Sequence, residues 1–513
     1  MLSAVSVNNA FDVVNAPDTS SIAALLNDPG ADGISLREAI LAANSDPGAD
    51  VIDFASDPGE AFSGGGTIVL TNGQLNITSE LSIDGDIDGD NVADITISGN
   101  NSSRIFDIAD SSPHTNLNGL TLTQGNHSTE GGAVRVRRSS AKISNSVIDG
   151  NSAGRFGGGI LAFRSTVEIV STTISNNEAG RDGGGLEIAF GATTIASSTI
   201  VGNTAGDSGG GLINEFNNTL RVSNSTIANN TATLGHGGGI VSSGSSFELI
   251  NSTVTGNSAA TFGGGLVAWS NDTLQNTIVV GNSAATYAEV AGPLEVSTAS
   301  LTTSIVADVF DQVDADTGGG LLSDNGGTVL TAMLKASTSN PALDLGSMPS
   351  GITVDAIGNA RELDIVSIGN GGTVDAGAIE LIADSNPLVV DTTNHTIDTF
   401  DGVTSLREAI AYANDTLAGP NGDGDADGDG SSNDTITFAA GVGETFENGG
   451  AITIGSRLVL SSDITIDGDV DGDGERDIDV RSGGRNIGLI HVTGGHAQLN
   501  GFTLSNGSST SYS

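Results

Sequence analysis

The sequence contains no cysteine, and only two of its 513 residues are lysine. Without cysteine, neither a disulfide nor a thiolate metal site can stabilise the fold. No apolar run reaches the roughly 18 residues that a membrane-spanning helix needs, so none is predicted. Basic residues are scarce as well, since 17 Lys and Arg face 62 Asp and Glu, for a net charge of −45. Such a surface repels phosphate groups, which argues against nucleic-acid and anionic-lipid partners.

Glycine is abundant, with 74 residues, and much of it recurs in a fixed pattern. A glycine-rich block ends in an aliphatic residue about every 26 residues, at Val134, Ile160, Leu186, Leu212, Ile240 and Leu266. An asparagine block keeps the same period, at Asn151, Asn177, Asn203, Asn230, Asn257 and Asn282. The Val/Ile/Thr-rich stretches between these blocks are typical of short strands joined by turns. Stacking such units about 4.8 Å apart predicts an all-β parallel β-helix, with asparagine amides hydrogen-bonded from coil to coil.

A longer repeat lies over the first, because the run Ser35–Ile40 returns at Ser405–Ile410. Each copy has the Ser-x-x-Glu pattern of a capping box and predicts a short helix, over residues 36–43 and 406–413, that covers a β-helix end. We therefore expect one complete module followed by the opening part of a second. The predicted regions are an N-terminal cap over 1–80, β-helix coils over 81–300, C-terminal coils and a cap over 301–385, and an incomplete second module over 386–513.

The motif Ser-Leu-Arg-Glu-Ala-Ile-x-x-Ala-Asn, present in both copies, resembles the signature of the bacterial CSLREA-domain proteins. Four further stretches resemble the end of the choice-of-anchor Q repeat region of the same proteins; they begin at Asp324, Asn340, Gly358 and Val374. The glycine-rich coils are also similar to those of chlamydial polymorphic outer-membrane proteins. The resemblance implies a right-handed β-helix on an exported surface or matrix protein. The cysteine that opens the family signature is replaced here by Ile34 and Thr404.

Aspartates alternate with glycine in three loops, which predicts calcium sites because Ca²⁺ prefers several oxygen ligands. Two of these loops match residue for residue, and the third has the spacing of an EF-hand loop without flanking helices. The alternative is a solvated acidic turn that binds nothing. The candidate ligands are Asp84, Asp86, Asp88, Asp90 and Asp94, then Asp423, Asp425, Asp427, Asp429 and Asp434, and then Asp467, Asp469, Asp471, Asp473 and Asp477.

Six of the 15 arginines fall within the first regular coils, where they could bind an acidic glycan through guanidinium–carboxylate pairs. The interpretation that we favour is that they neutralise neighbouring carboxylates. Phe163 and Trp269 occupy the same position in their coils. They could form a surface on which a sugar stacks, but the interpretation that we favour is a small apolar cluster packed on the side of the core. The candidate glycan-binding residues are Arg137, Arg138, Arg164, Phe163 and Trp269.

The sequence as a whole predicts an exported bacterial cell-surface or extracellular-matrix protein, stabilised by calcium, with a structural or adhesive role. Its expected partners are a cell-surface glycan, another surface protein, or a second copy that pairs through a β-helix end. The alternative is a polysaccharide lyase or hydrolase, because this fold also hosts such enzymes, with Glu187 and Glu215 as the carboxylates and Arg164 nearby. The nearly regular coils, which lack long inserted loops, argue against the enzyme.

Overall fold

The computed structural model is an all-β, right-handed parallel β-solenoid of about 14 turns with about 26 residues per coil, which confirms the predicted fold class. The chain divides into two compact units, Met1–Glu380 and Leu381–Ser513. The structure describes residues 3–108, 114–244, 246–269, 272–294, 296–303, 305–325, 327–337, 339–361, 374–381, 388–395, 403–414, 433–441, 445–447, 449–482 and 488–507.

Four parallel sheets, here called A to D, form the sides of the first unit, and a typical coil contributes one strand to each. Sheet A consists of Ser3–Val7, Ala49–Phe54, Glu80–Asp84, Thr115–Asn118, Ser140–Ser144, Thr166–Val170, Ala192–Ala196, Thr219–Ser223, Ser246–Ile250, Asp272–Gln275 and Val296–Thr298. Sheet B consists of Gly66–Val69, Ile95–Ser98, Leu120–Thr123, Val147–Asp149, Thr173–Ser175, Thr199–Val201, Thr226–Ala228, Thr253–Thr255 and Ile278–Val279.

Sheets C and D complete each coil. Sheet C consists of Asn126–His127, Ser152–Ala153, Glu178–Ala179, Thr204–Ala205, Thr231–Ala232, Ser258–Phe262 and Ser283–Thr286. Sheet D consists of Leu75–Ile77, Phe106–Ile108, Val134–Arg137, Ile160–Phe163, Leu186–Ala189, Leu212–Glu215, Ile240–Ser242, Leu266–Ala268 and Val290–Ala291.

The repeated aliphatic residues stack in register along sheet D and form one wall of the core. Val134 pairs with Ile160, Ile160 with Leu186, and so on to Leu266, and all six side chains are at most 1% exposed. Burying one such side chain contributes about 2 kcal/mol. The glycines before them let the coils approach, since a Cβ on Gly158 would lie 2.2 Å from the carbonyl oxygen of Gly184.

The six repeated asparagines form a continuous buried ladder, as predicted. In each step the backbone N–H and the side-chain Nδ2 both donate to Oδ1 of the next asparagine, at 2.9–3.0 Å. The last member, Asn282, donates instead to Glu289, with 2.7 Å between Nδ2 and Oε2. Because Glu289 accepts these hydrogens, the ladder ends there without an orphaned donor.

Two helices close the N-terminal end of the first unit, α1 over Ile22–Asn27 and α2 over Leu36–Ser45. Ser35 and Glu38 form the predicted capping box at the start of α2. Leu36 and Ile40 of this helix are buried in the same cluster as Val5 and Val7 of the first strand. The helix therefore covers the core at the open end of the β-helix, where strand edges would otherwise face water.

The described part of the stretch predicted as C-terminal coils, 301–385, differs from that prediction. After a single bridge at Leu301, its described residues add no strand to sheets A to D. They form helix α3, Val306–Val309, and an antiparallel pair, Leu322–Ser323 with Thr331–Ala332. The asparagine ladder ends at Glu289, just before the last strands of sheets D and A, Val290–Ala291 and Val296–Thr298.

This stretch instead lies against the flank of the coils. Thr199 Oγ1 donates to the Leu330 carbonyl at 2.6 Å, and Asn224 Nδ2 donates to the Val354 carbonyl at 2.7 Å. Arg361, which is fully buried, donates to Asn224 Oδ1 at 3.2 Å. These hydrogen bonds fasten the stretch along the edge between sheets A and B.

The second unit repeats the start of the first. Helix α4, Leu406–Ala413, has its own capping box of Ser405 and Glu408. In the described part of the chain, no helix is long and apolar enough to span a bilayer. The strands of this unit form three parallel sheets. The first consists of Val389–Val390, Asn433–Phe438, Asp463–Asp467 and Ala497–Asn500, and the second of Gly450–Ile454, Ile478–Ser482 and Phe502–Ser505. The third consists of Leu458–Leu460 and Ile490–Val492.

Candidate functional site: the outer face of sheet D

In the first aspartate loop, the structure brings three of the five predicted ligands together. One carboxylate oxygen from each of Asp86, Asp88 and Asp94 lies within 4.8 Å of the others. Asp84 instead accepts a hydrogen bond from Asn118 Nδ2 at 2.8 Å, and Asp90 accepts one from a backbone N–H of its own loop. The loop therefore offers a trio of carboxylates and not the predicted group of five.

The second loop has the same arrangement, with Asp469, Asp471 and Asp477 as its trio. The backbone N–H of Val470 donates to Asp477 at 2.8 Å, as that of Ile87 does to Asp94 in the first loop at 2.9 Å. Asp467 and Asp473 stand outside the trio, as Asp84 and Asp90 do in the first loop. In the third loop, Asp434 lies on a strand, while Asp423, Asp425, Asp427 and Asp429 lie outside the described residues.

The outer face of sheet D carries the other candidate residues. Because side chains alternate along a strand, the residue after each core aliphatic points away from the core. Apart from Arg135, which is partly exposed, these outward residues are nevertheless almost fully buried, as for Glu187 at 8% and Ile213 at 3% exposure. In coil order they are Arg135, Leu161, Glu187, Ile213, Val241, Val267 and Ala291.

The first part of this face is an arginine–phenylalanine cluster, defined as Arg137, Phe163, Arg164, Phe190 and Phe216. Arg137 and Arg164 lie over the Phe163 ring at 5.9 and 5.4 Å from its centroid, and Arg164 also lies over Phe190 at 5.6 Å. Phe190 meets Phe163 edge to face and stacks on Phe216, with centroid distances of 5.5 and 5.1 Å. The rings hold the guanidinium groups by cation–π contact.

The favoured interpretation, that the arginines neutralise neighbouring carboxylates, is wrong for this cluster. Arg135 and Arg181 do pair with carboxylates, on Asp107 at 2.6 Å and Asp182 at 3.1 Å. Among the described residues, however, no carboxylate lies within 4.0 Å of the guanidinium groups of Arg137 and Arg164. Both groups therefore keep their hydrogen-bond donors for solvent or a ligand. Arg138, the fifth candidate beside them, is exposed in the turn that follows the strand.

The middle of the face is an acidic recess, defined as Asp182, Glu187 and Glu215. Burial, together with the charges of Glu215 and Asp182, raises the pKa of Glu187 to about 9. Burial also raises the pKa of Glu215 and of Asp182 above the usual range. Glu187 Oε2 has no hydrogen-bond partner among the described residues. At neutral pH the recess therefore holds a protonated carboxyl group beside two others that repel each other.

The last part of the face is an aromatic cleft of about 460 Å³. Its walls include Phe262, Trp269 and Tyr287, and its floor includes Val267 and Ala291. The His236 ring stacks on Phe262 at 4.7 Å and on Trp269 at 5.9 Å. The interpretation as an apolar cluster packed on the core fails for Trp269, because its side chain is 54% exposed. Aliphatic residues of the outer face form the apolar cluster instead, with Phe262 packed on them; they are Ile213, Val241, Val267 and Ala291.

The structure thus separates Phe163 from Trp269, which lies four strands further along sheet D. Four members of the face were not predicted from the sequence: Asp182, Phe190, Phe216 and Tyr287. The sequence did contain a signal for the two phenylalanines. Phe163 is the third residue after its core aliphatic residue, and Phe190 and Phe216 are each the fourth, in the turn that follows the strand. No signal identified Asp182, because only the pairing of neighbouring coils places it beside Glu187.

Comparisons with known proteins give structural neighbours only. No family model matches the chain, and no curated protein matches it. The chain is similar to the crystal structure of pectate lyase Pel9A, with 14% identity, 74% of this chain and 96% of that chain covered, and a TM-score of 0.38. It is also similar to the PL6-family alginate lyase AlyGC, with 11% identity, coverage of 92% and 71%, and a TM-score of 0.18. The resemblance to CSLREA-domain proteins stays a prediction.

Proposed function

We propose that this chain is an exported bacterial surface or matrix β-helix with a structural and adhesive role, and that it binds an acidic glycan at the arginine–phenylalanine cluster. One observation carries the proposal. On a chain of net charge −45, the guanidinium groups of Arg137 and Arg164 rest on phenyl rings and have no carboxylate partner among the described residues. Guanidinium groups bind carboxylates in a bidentate manner, and the exposed Phe216 ring adds an apolar surface for a sugar.

The regular coils support the structural part of the role. The eleven strands of sheet A span about 48 Å along the axis at about 4.8 Å per step. The buried asparagine ladder ties successive coils together along much of this length. The acidic surface keeps such a rod soluble and opposes side-by-side association of like-charged copies, which leaves a β-helix end as the place for a second copy. Another matrix protein, or a second copy at a β-helix end, is the further partner that we propose for it.

The double variant Arg137→Ser/Arg164→Ser is expected to weaken binding of an acidic oligosaccharide about tenfold, because each substitution removes a charge-assisted donor pair. Titration calorimetry with oligogalacturonate at two salt concentrations measures the effect. The matched control is Lys142→Ser/Arg221→Ser, which removes the same charge from sheet A, where both residues pair with glutamates. Equal affinity of the two double variants would mean that binding responds to net charge only.

We also propose that the two described aspartate trios bind Ca²⁺, as the sequence predicts. Carboxylate oxygens that converge are the ligands Ca²⁺ prefers, and the two loops share one hydrogen-bond pattern. Millimolar Ca²⁺ is expected to raise the melting temperature by several degrees over that in EDTA. Asp88→Asn/Asp471→Asn should abolish this rise, while the control Asp90→Asn/Asp473→Asn should retain it. An equal rise in melting temperature with NaCl alone would show that salt only screens the repulsion between the aspartate charges of the loops.

A further inference from the structure

The acidic recess is more than a cluster of like charges, because its central carboxyl group is buried without a partner. Glu187 lies between Leu186 and Ile188, whose side chains belong to the core, so its own side chain points outward. It is nevertheless only 8% exposed, and its Oε2 atom has no hydrogen-bond partner among the described residues. Leaving a buried polar atom unpaired costs about 1–3 kcal/mol. The described residues therefore leave part of the hydrogen-bonding capacity of the Glu187 carboxyl group unused.

Glu215 occupies the diagonal position on the next strand of sheet D. Glu187 pairs with Ile213, and Glu215 follows two residues later. With a strand spacing of about 4.8 Å and a rise of about 3.3 Å per residue, the two Cα atoms are about 8 Å apart. Both side chains point to the same outer face, and the charge of Glu215 contributes to the raised pKa of Glu187, so the two carboxyl groups share one recess. Inverting glycosidases use such a pair of carboxyl groups with a water molecule between them. Asp182, on the turn before Glu187, is held by the Arg181 guanidinium at 3.1 Å.

The recess lies beside one aromatic surface of this face and before another. Phe163 lies one coil before Glu187, while Phe190 and Phe216 follow on the coils of Glu187 and Glu215 themselves. Trp269, in the aromatic cleft, lies two coils after Glu215. At about 4.8 Å per coil, the distance from Phe163 to Trp269 along the axis is about 19 Å. This length fits an oligosaccharide that runs parallel to the axis better than a single sugar. Its middle would rest on the two glutamates.

We propose that the acidic recess hydrolyses a glycosidic bond of such a glycan. The Glu187 carboxyl group donates its proton to the glycosidic oxygen while the bond from that oxygen to the anomeric carbon breaks. The Glu215 carboxylate takes a proton from a water molecule, and the water oxygen forms the new bond to the anomeric carbon. The products are two shorter sugar chains, and the two glutamates return to their starting states by exchanging protons with solvent. No oxidant, reductant or metal is needed.

The protonation state that this step needs agrees with the surroundings of Glu187. Its charged neighbours are Glu215, Asp182, Arg181 and Glu130, of which only Arg181 favours the ionised form. Burial and the three carboxylates outweigh that arginine, so the pKa of Glu187 is raised to about 9. Burial and Asp182 raise the pKa of Glu215 as well, while Arg181 lowers it. We assign the acid to Glu187 because it is the more deeply buried of the two, and the base to the more exposed Glu215.

The full chain is tested by incubation with sodium polygalacturonate, sodium alginate and hyaluronate, each of which carries carboxylates that can meet Arg137 and Arg164. We expect reducing ends to accumulate with at least one polymer, without the ultraviolet absorbance of an unsaturated sugar. Glu187→Gln should lower the rate at least about 100-fold, since it keeps the shape but removes the proton. The control is Glu178→Gln on sheet C, an exposed glutamate outside the recess. Circular dichroism confirms that both variants are folded.

Three results would overturn the inference: no reducing ends from any of the three polymers, an unsaturated product, or Glu187→Gln as active as the unchanged chain. The inference shares sheet D with the proposed glycan site, but the two fail separately. Arg137→Ser/Arg164→Ser is expected to raise KM and leave kcat within about threefold, because those residues only hold the substrate. Cleavage that survives in that variant, with unaltered KM, would contradict the glycan site and not the hydrolytic one.

Discussion

Asn230→Ala is expected to lower the free energy of unfolding of the first unit by about 4 kcal/mol, at about 1 kcal/mol for each of four lost hydrogen bonds. Asn230 is fully buried in the middle of the ladder. Its Oδ1 accepts from the backbone N–H and the Nδ2 of Asn203, both at 2.9 Å. Its Nδ2 donates to the Ile200 carbonyl and to Asn257 Oδ1, also at 2.9 Å. Alanine removes all four bonds and leaves their partners buried.

Urea unfolding followed by circular dichroism measures this change. The control is Asn217→Ala, an exposed asparagine outside the ladder, which is expected to alter the free energy by less than about 0.5 kcal/mol. Because each coil contacts mainly its neighbours, the variant should also increase hydrogen exchange most strongly in the coils around Asn230. A loss of stability no larger than that of the control would show that the ladder is dispensable and that sheet pairing alone holds the coils.

The stability of the first unit is expected to fall as pH rises from about 5 to about 9, and Glu187→Gln is expected to flatten this dependence. The pKa of Glu187 is raised by burial and by neighbouring carboxylates from 4.5 to about 9. Below the lower value both the folded and the unfolded chain hold the proton, so the group has no effect. Between the two values the unfolded chain has lost the proton and the folded chain keeps it. Each pH unit in this window then favours unfolding by about 1.4 kcal/mol.

The full window corresponds to as much as about 6 kcal/mol, the largest effect that a single side chain is expected to have here. Urea unfolding of the unchanged chain and of Glu187→Gln at pH 5, 7 and 9 provides the measurement. The difference in unfolding free energy between the two chains should increase with pH in favour of the glutamine variant. Glu178→Gln serves as control, since its exposed carboxyl group should leave the slope unaltered. Parallel pH profiles for all three chains would mean that Glu187 ionises normally in the folded state.

The outer face of sheet D would connect the proposed adhesive role to the proposed hydrolytic one. The arginine–phenylalanine cluster supplies unpaired cationic donors, the acidic recess supplies a buried proton donor, and the aromatic cleft supplies flat apolar surface. A glycan that spans these three parts would be held at both ends and meet the two glutamates in its middle. A rod that binds a glycan and hydrolyses its glycosidic bonds would combine both roles on one face. The calcium-binding loops that we propose lie elsewhere and would affect stability only.

The repeating parts of this protein could be predicted from its sequence. Leu212 could be assigned to the core wall and Asn230 to the amide ladder because equivalent residues return about every 26 positions. When coils stack, identical positions lie above one another, so aliphatic residues form a wall and asparagines form a ladder. The helices that begin after Ser35 and Ser405 could be assigned because a capping box is a local interaction that needs only four residues. These features depend on neighbours along the chain or on identical neighbours one coil away.

The features that depend on unlike residues from different coils could be found only in the folded structure. In the sequence Glu187 occupies the same coil position as Arg135 and Ile213, and nothing local indicates that its carboxyl group is buried without a partner. Arg361 contacts Asn224 across 137 residues, which no period describes. The physical reason is that burial and charge around a side chain are set by the coils above and below it, and these differ in residue type even where their backbones repeat.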